Sequence, residues 1–287
     1  MSNKMADIIK AIIYGIIEGI TEWLPISSTG HLLLAEKLIP FQNVSEGFFS
    51  MFDVVIQLGA ILAVVVLFWK QIWPFALTKK ERKGKTGAAA FIKTDIIILW
   101  LKILVSCVPA AIIGILFDDV LEEQFYRYEV IAMALIIFGI AFILIENWNK
   151  GKNPKITALS QLSYQAAIWI GVFQVIAAVF PGTSRSGATI VGALLIGISR
   201  TVAAEYTFFL AIPVMFGASL LKLIKFGFHF TSLELILLLT GTLVAFVISL
   251  FILRFLIGYL KKHDFKIFGW YRIILGIVVL IYFGLIV

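Results

Sequence analysis

Pro25-Ile26-Ser27-Ser28-Thr29-Gly30 interrupts an apolar run over residues 7–39, and Pro181-Gly182-Thr183-Ser184-Arg185-Ser186-Gly187 interrupts a second over residues 162–199. A helix needs about 20 apolar residues to cross a bilayer, so each half left by a break reads as too short to span. A helix–loop–helix that dips into the membrane and returns fits both stretches. Irregular backbone is tolerated at membrane depth where it lines a cavity within the protein. The two stretches also resemble each other. An offset of 156 residues places Gly15 on Gly171, Glu18 on Gln174, Pro25 on Pro181 and Ser28 on Ser184. Paired interrupted segments in two halves point to a site near the bilayer midplane.

Outward from the breaks, six runs are long and apolar enough to span: residues 49–69, 95–117, 129–147, 201–222, 233–258 and 268–286. The expected fold is therefore an all-α polytopic membrane protein. It has six transmembrane helices plus two re-entrant helix–loop–helix segments in an inverted repeat. One integral membrane domain covers residues 1–287, with repeat halves of about 1–148 and 158–287. Composition agrees: of 287 residues, 61% are hydrophobic and 14% charged, with a mean hydropathy of +1.03. Soluble domains run at about 45–50% apolar and about 25% charged. This excludes disorder, a disulfide scaffold and an ordinary cytosolic enzyme. The single cysteine, Cys107, excludes an internal disulfide framework and a cysteine metal site. The run Ile8–Ile20 reads as part of the fold and not as a removable signal, because Glu18 and Glu22 interrupt it and no small-residue cleavage site follows.

The net charge of +7 reads as orientation charge and lipid headgroup contact, with no nucleic acid as partner. Lys70, Lys79, Lys80, Arg82, Lys83, Lys85 and Lys93, against Glu81, place the loop after the first span in the cytoplasm. Asp118, Asp119, Glu122 and Glu123, against Arg127, place the next loop outside. Lys150, Lys152 and Lys155, and later Lys261, Lys262 and Lys266, fall inside again. Six crossings then put both termini outside, and the two broken segments enter from opposite faces. Lys4, Lys10, Lys222 and Lys225 land outside, against the charge bias.

Several residues carry chemistry. Glu18 and Glu22 stand four apart on one helical face in apolar surroundings, a costly pair unless a cation or protons relieve it. They form a divalent-cation site or an acid–base pair; the alternative is an interfacial helix whose acids point to water. Ser28 and His31 lie three apart at a helix start, where an imidazole could activate a hydroxyl. Ser27 or Ser28 could instead only cap that helix, and His31 could be a packed histidine. In the second break, Ser184, Ser186 and Thr189 offer hydroxyls and Arg185 a fork of donors suited to phosphate oxygens. A helix N-terminus there adds backbone amides. Alternatives for Arg185 are snorkelling or a structural ion pair with a glutamate. Asp53, Gln57, Lys102, Glu205 and Arg254 are further polar residues in apolar runs. Trp69, Trp73, Trp100, Trp148, Tyr259, Trp270 and Tyr271 read as interface belts.

Glu18-Gly19-Ile20-Thr21-Glu22-Trp23-Leu24-Pro25-Ile26-Ser27-Ser28-Thr29-Gly30-His31 resembles the first signature of the undecaprenyl-pyrophosphate phosphatases of the BacA/UppP type. Pro181-Gly182-Thr183-Ser184-Arg185-Ser186-Gly187-Ala188-Thr189 resembles the second, and Phe52-Asp53-Val54-Val55-Ile56-Gln57-Leu58-Gly59 is also similar to the family. The resemblance runs over essentially the whole chain. It implies a multi-pass protein of the bacterial inner membrane that hydrolyses undecaprenyl diphosphate to undecaprenyl phosphate and inorganic phosphate. That reaction recycles the lipid carrier of peptidoglycan synthesis and confers bacitracin resistance. The implied catalytic residues are Ser28, His31, Glu22 and Arg185. Ser27, Thr29, Ser184, Arg185, Ser186 and Thr189 would bind the substrate phosphate, and Glu18 and Glu22 a divalent cation, Mg2+ or Ca2+. The site would open to the extracytoplasmic side. Undecaprenyl diphosphate and membrane lipid are the expected partners, and a homodimer is left open. The alternatives are a polyprenyl-phosphate transporter, acting alone or in addition to hydrolysis, and a non-catalytic lipid-binding protein. The serine, histidine, arginine and paired glutamates favour the enzyme, since transport needs no nucleophile.

Overall fold

The computed structural model describes residues 2–76, 78 and 88–286. Of the charged loop read as cytoplasmic, Lys79, Lys80, Glu81, Arg82, Lys83 and Lys85 lie outside the described residues, as do the side chains of Asp118, Asp119 and Glu122. The described chain is helical. In order come α1 (Ser2–Thr21), α2 (Ser28–Leu38), α3 (Phe48–Val55), α4 (Gln57–Leu67), α5 (Trp69–Ile72), α6 (Thr94–Phe125), α7 (Tyr128–Trp148), α8 (Tyr164–Val179), α9 (Arg185–Leu195), α10 (Arg200–Phe226), α11 (Ser232–Leu260) and α12 (Lys266–Ile281). Among the described residues β-structure is limited to two isolated bridges, Phe75 with Ile92 and Ile156 with Ile198.

Six stretches are long and apolar enough to cross a membrane: Phe48–Leu67, Thr94–Phe117, Tyr128–Trp148, Arg200–Phe226, Ser232–Leu260 and Lys266–Gly284. They coincide with the six apolar runs to within a few residues. One boundary differs. The acidic residues expected in a loop after residue 117 continue α6 as far as Phe125, and the turn is confined to Tyr126–Arg127. The polar residues extend a helix whose apolar part has already crossed, because Asp and Glu outside the hydrocarbon cost a helix little.

Both broken segments form helix pairs with a non-helical turn at the break, α1 with α2 and α8 with α9. α2 and α9 have 11 residues each and α8 has 16, so they reach about 16 and 24 Å at 1.5 Å per residue. α1 is longer than expected. Its 20 residues would reach about 30 Å, but Lys4, Asp7, Lys10 and Glu18 leave it outside the apolar set. Length alone therefore would let α1 span; its charges are what set it apart from the six apolar stretches.

Packing follows the halves. α1 packs on α11, and α8 packs on α6. α4 packs on α11, and α10 on α6; α2 packs on α12, and α9 on α7. Exchanging the halves turns each contact into its partner, as a two-fold repeat demands. The α7–α12 contact maps onto itself, and there Gly139 and Gly269 meet: a Cβ on either would sit 2.7 Å from the other's carbonyl oxygen. Gly15 and Gly171 also play one part, since a Cβ on either would fall 2.6 Å from a backbone carbonyl of the paired helix.

The offset of 156 holds from α1 and α8 as far as Pro25 and Pro181, and changes within the breaks. Ser27 (φ 73°, ψ 102°) and Ser184 (φ 68°, ψ 122°) are the two non-glycine residues with positive φ among the described ones. Each is the N-cap of the helix that follows, and each accepts the N–H of a glycine three residues on, Gly30 or Gly187. The second break carries one more residue between its proline and its capping serine. Ser184 therefore corresponds to Ser27, not Ser28, and Arg185 takes the place of Ser28.

Candidate active site

The breaks meet in the interior. Ser28 and Arg185, the first residues of α2 and α9, converge on Glu22, which lies one residue beyond the end of α1. The Ser28 hydroxyl donates to Glu22 Oε2 at 3.1 Å, and Arg185 Nη2 donates to Glu22 Oε1 at 2.9 Å. This ion pair is largely shielded, with the two side chains 13% and 10% exposed. Arg185 Nη1 also donates to the Thr207 carbonyl at 3.0 Å. Ser186 Oγ donates to the Glu22 carbonyl at 3.3 Å and lies 3.0 Å from Ser184 Oγ. The ion pair with a glutamate, weighed above as an alternative for Arg185, is thus present, and the glutamate is a member of the candidate catalytic set.

His31 is placed differently from expectation. Its Nδ1 lies 2.7 Å from the Ser27 carbonyl, and its Nε2 lies 2.7 Å from the Tyr271 hydroxyl. A carbonyl only accepts, so Nδ1 carries the hydrogen and Nε2 of the neutral ring accepts from Tyr271. The tyrosine ring stacks on the imidazole, 5.6 Å between centroids and 7° between planes. Helical spacing alone suggested an imidazole on Ser28; instead a carboxylate receives that hydroxyl. The reason is the turn, which folds Glu22 back over the start of α2, while the carbonyl of the N-cap Ser27, four residues before His31, takes up the imidazole.

Glu18, one turn before Glu22, is fully buried and neither carboxylate oxygen has a hydrogen-bond partner. A buried acceptor-only group left this way is costly, and a cation would satisfy it. Among the described residues no cluster of three or more acidic, histidine or cysteine side chains forms a complete cage. Magnesium is commonly held by one or two carboxylates together with substrate phosphates, so the donor set fits.

The remaining candidates form walls. Thr189 is buried, and its hydroxyl donates to the Arg185 carbonyl at 2.9 Å and lies 2.9 Å from Thr207 Oγ1. It ties α9 to α10. Ser27 is buried with its hydroxyl committed to the cap. Thr29 lines a cavity of about 400 Å³ that reaches Pro181 of the other break, with Asp53, Gln57 and Tyr126 on its walls. Gln57, which starts α4 at the one-residue interruption Ile56, therefore faces the approach to the breaks. Lys102 is buried elsewhere, over the Tyr164 ring at 6.0 Å; Arg254 is exposed.

Two residues escaped the sequence reading. Arg272 is fully buried, and its guanidinium donates to the carbonyls of Pro25 (3.3 Å), Gly182 (3.0 Å) and Thr183 (2.6 Å), joining the breaks from behind. A lone arginine within an apolar span is functional by default, and that signal was present in the sequence. Tyr271 looked like an interface residue and has no sequence signal separating it from one.

The chain matches the family described as bacitracin resistance protein BacA over residues 11–278. It is 61% identical over 280 residues to a protein of Desulfitobacterium hafniense named undecaprenyl-diphosphatase, covering 98% of this chain and 97% of that one. Undecaprenyl-diphosphatase 1 of Clostridium acetobutylicum is 60% identical over 277 residues, covering 96% and 97%. An undecaprenyl-diphosphatase of Enterococcus faecalis is 56% identical over 281 residues, covering 98% and 99%. The match spans both breaks and every helix between them, and on that ground the chain belongs to the bacitracin resistance protein BacA family.

Proposed function

We infer that this protein is an integral membrane undecaprenyl-diphosphatase, which hydrolyses undecaprenyl diphosphate to undecaprenyl phosphate and inorganic phosphate. The observation that carries the reading is the convergence of Ser28 and Arg185, one from each break, on the two oxygens of Glu22. In the bacterial inner membrane the reaction returns the lipid carrier to peptidoglycan synthesis, and it underlies bacitracin resistance. The site faces the extracytoplasmic side. The cavity over the breaks is walled by Tyr126, in the turn after the acidic end of α6, whereas Lys150, Lys152, Lys155 and Lys261 line a separate cavity beyond the far end of α7.

Phosphoryl transfer asks mainly for positioning and charge stabilisation. Ser28 Oγ attacks the terminal phosphorus while its proton passes to Glu22 Oε2. The new Oγ–P bond forms as the anhydride P–O bond breaks, and undecaprenyl phosphate leaves. Water then attacks the phosphorus, the new P–O bond forms as the Oγ–P bond breaks, Glu22 returns its proton to the departing Oγ, and the protons of the water leave on the released phosphate. Arg185, drawn from Glu22 toward the transferring group, presents its fork to the equatorial oxygens. Amides at the starts of α2 and α9 add further donors. His31, hydrogen-bonded through Nε2 to the Tyr271 hydroxyl, is assigned as the proton carrier for the departing phosphate. Glu18 and Glu22 would hold a divalent cation, Mg2+ or Ca2+, whose chemistry is neutralisation of the diphosphate.

Labelled-phosphate trapping with peptide mapping tests the reading. Phosphoserine at Ser28 on the turnover timescale is the expected result. Label absent from Ser28, with solvent oxygen entering phosphate directly and inversion at phosphorus in one turnover, would make water the nucleophile.

A further inference from the structure

α9 begins at the break and ends, 11 residues on, at a second cavity; that length is about 16 Å. The cavity measures about 710 Å³ and is bounded by residues 146–155, the end of α9, the start of α10 and the end of α11. Five cations line it: Lys150, Lys152, Lys155, Arg200 and Lys261. Its one acid is Glu146, and Glu146 is saturated. It binds Arg200 Nε at 2.9 and 3.1 Å and Arg200 Nη2 at 2.5 Å, and it accepts the Phe265 N–H at 3.0 Å. Lys152 lies over the Trp148 ring at 3.9 Å. Among the described residues, Lys150, Lys155 and Lys261 have no carboxylate within ion-pair distance.

The frame around these charges is fixed. The Lys155 and Ile156 amides both donate to the Gly197 carbonyl, at 2.8 and 3.2 Å, and the Ser199 amide donates to the Ile156 carbonyl at 2.8 Å. Asn149 Nδ2 donates to the Leu194 carbonyl at 3.0 Å. Gly151 and Gly197 supply the positive φ that bends the two walls. At the rim stand Trp148 and Leu195, 68% and 46% exposed. Charges that only orient a membrane chain need neither a concave frame nor an apolar rim. Like charges gathered in a cavity repel unless an anion joins them.

We propose that this cavity is a phosphate-group site for an anionic lipid headgroup, remote from the breaks, with the lipid chains lying against Trp148 and Leu195. Basic pockets between membrane helices bind phosphorylated headgroups by this logic. The proposal stands whether or not the hydrolytic reading holds.

The test titrates full-length protein in detergent with phosphatidylglycerol and with phosphatidylcholine, read by native mass spectrometry. Wild-type protein should retain phosphatidylglycerol preferentially. Lys150→Gln combined with Lys155→Gln should weaken that binding about tenfold or more, given the worth of each lysine beside an anionic headgroup. Lys150→Arg with Lys155→Arg, and the control Lys4→Gln with Lys37→Gln, should keep it. Millimolar inorganic phosphate should fail to displace the lipid; displacement would support the phosphate site and make free phosphate its ligand. Equal phosphatidylglycerol affinity in wild type and the glutamine variant, at equal melting temperature, would overturn the proposal. So would equal binding of phosphatidylcholine. Amine-reactive footprinting needs no variant: phosphatidylglycerol should protect Lys150 and Lys155 but not Lys4, and equal labelling with either lipid would overturn the site.

Discussion

Ser27 in the first break and Ser184 in the second hold nearly the same φ, accept the amide of a glycine three residues on, and open helices of 11 residues. The next residue is Ser28 in one case and Arg185 in the other, and both meet Glu22. On the preceding helices, Glu18 of the first half corresponds to Gln174 of the second. Gln174 is buried and donates to the Ser106 carbonyl at 3.5 Å, whereas Glu18 has no hydrogen-bond partner. A repeat can thus keep one backbone device twice and divide the chemistry. The first half supplies carboxylates and a hydroxyl; the second supplies a fixed cation. Positive φ at a serine costs on the order of 1–3 kcal/mol, and its occurrence at both caps fits a backbone constrained by the site.

The sharpest way to break this division is at its nucleophile. Ser28→Ala should lower phosphate release by at least about 1,000-fold, the scale seen when a nucleophile is removed. Ser27→Ala removes a cap, costs about 0.5–2 kcal/mol of stability and leaves most turnover. Turnover and thermal unfolding of the purified variants separate the two. Comparable turnover in both would return Ser28 to a capping role.

Arg185→Lys comes next. The charge is kept, but the fork that spans Glu22, Thr207 and the phosphate oxygens is lost. Loss of one preorganised donor costs about 100-fold or more in turnover. Near wild-type turnover in folded protein would remove Arg185 from phosphate recognition.

Glu18→Gln makes the first half resemble the second. It removes an orphaned buried carboxylate, so thermal stability without added cation should rise. Mg2+ or Ca2+ should raise the melting temperature of wild-type protein and leave that of the variant unmoved. An equal cation-induced shift in both would place the cation elsewhere.

The six spans were legible because each is a continuous apolar run, and the breaks because proline, glycine and clustered hydroxyls cannot sit in lipid without a protein cavity. The register through the breaks was not legible. Pro25 and Pro181 align, but only backbone angles show which serine caps. The partner of Ser28 was also hidden, since helical spacing says nothing about a carboxylate six residues back across a turn. Arg272 was visible as an arginine in an apolar span. That its guanidinium holds three carbonyls from two breaks depends on packing between halves, which no local pattern encodes.

The smallest effect tests that join. Gly30 and Gly187 are equivalent, each donating its amide to a capping serine, but their surroundings differ. A Cβ on Gly30 would lie 3.1 Å from a terminal methyl of Leu135, which can yield. A Cβ on Gly187 would lie 2.9 Å from Nη1 of Arg272, which is fully buried and tied to the carbonyls of both breaks. Alanine in a helix gains up to about 1 kcal/mol over glycine, so Gly30→Ala should be neutral or slightly stabilising. Gly187→Ala meets the same gain with an overpacking cost of about 1–3 kcal/mol, and should be net destabilising. It should also lower turnover several-fold, because displacing Arg272 moves Gly182 and Thr183 and with them the start of α9. Thermal unfolding and phosphate release, measured on both variants, check the pair. If Gly187→Ala were as stable and active as Gly30→Ala, Arg272 would not be holding the breaks in register.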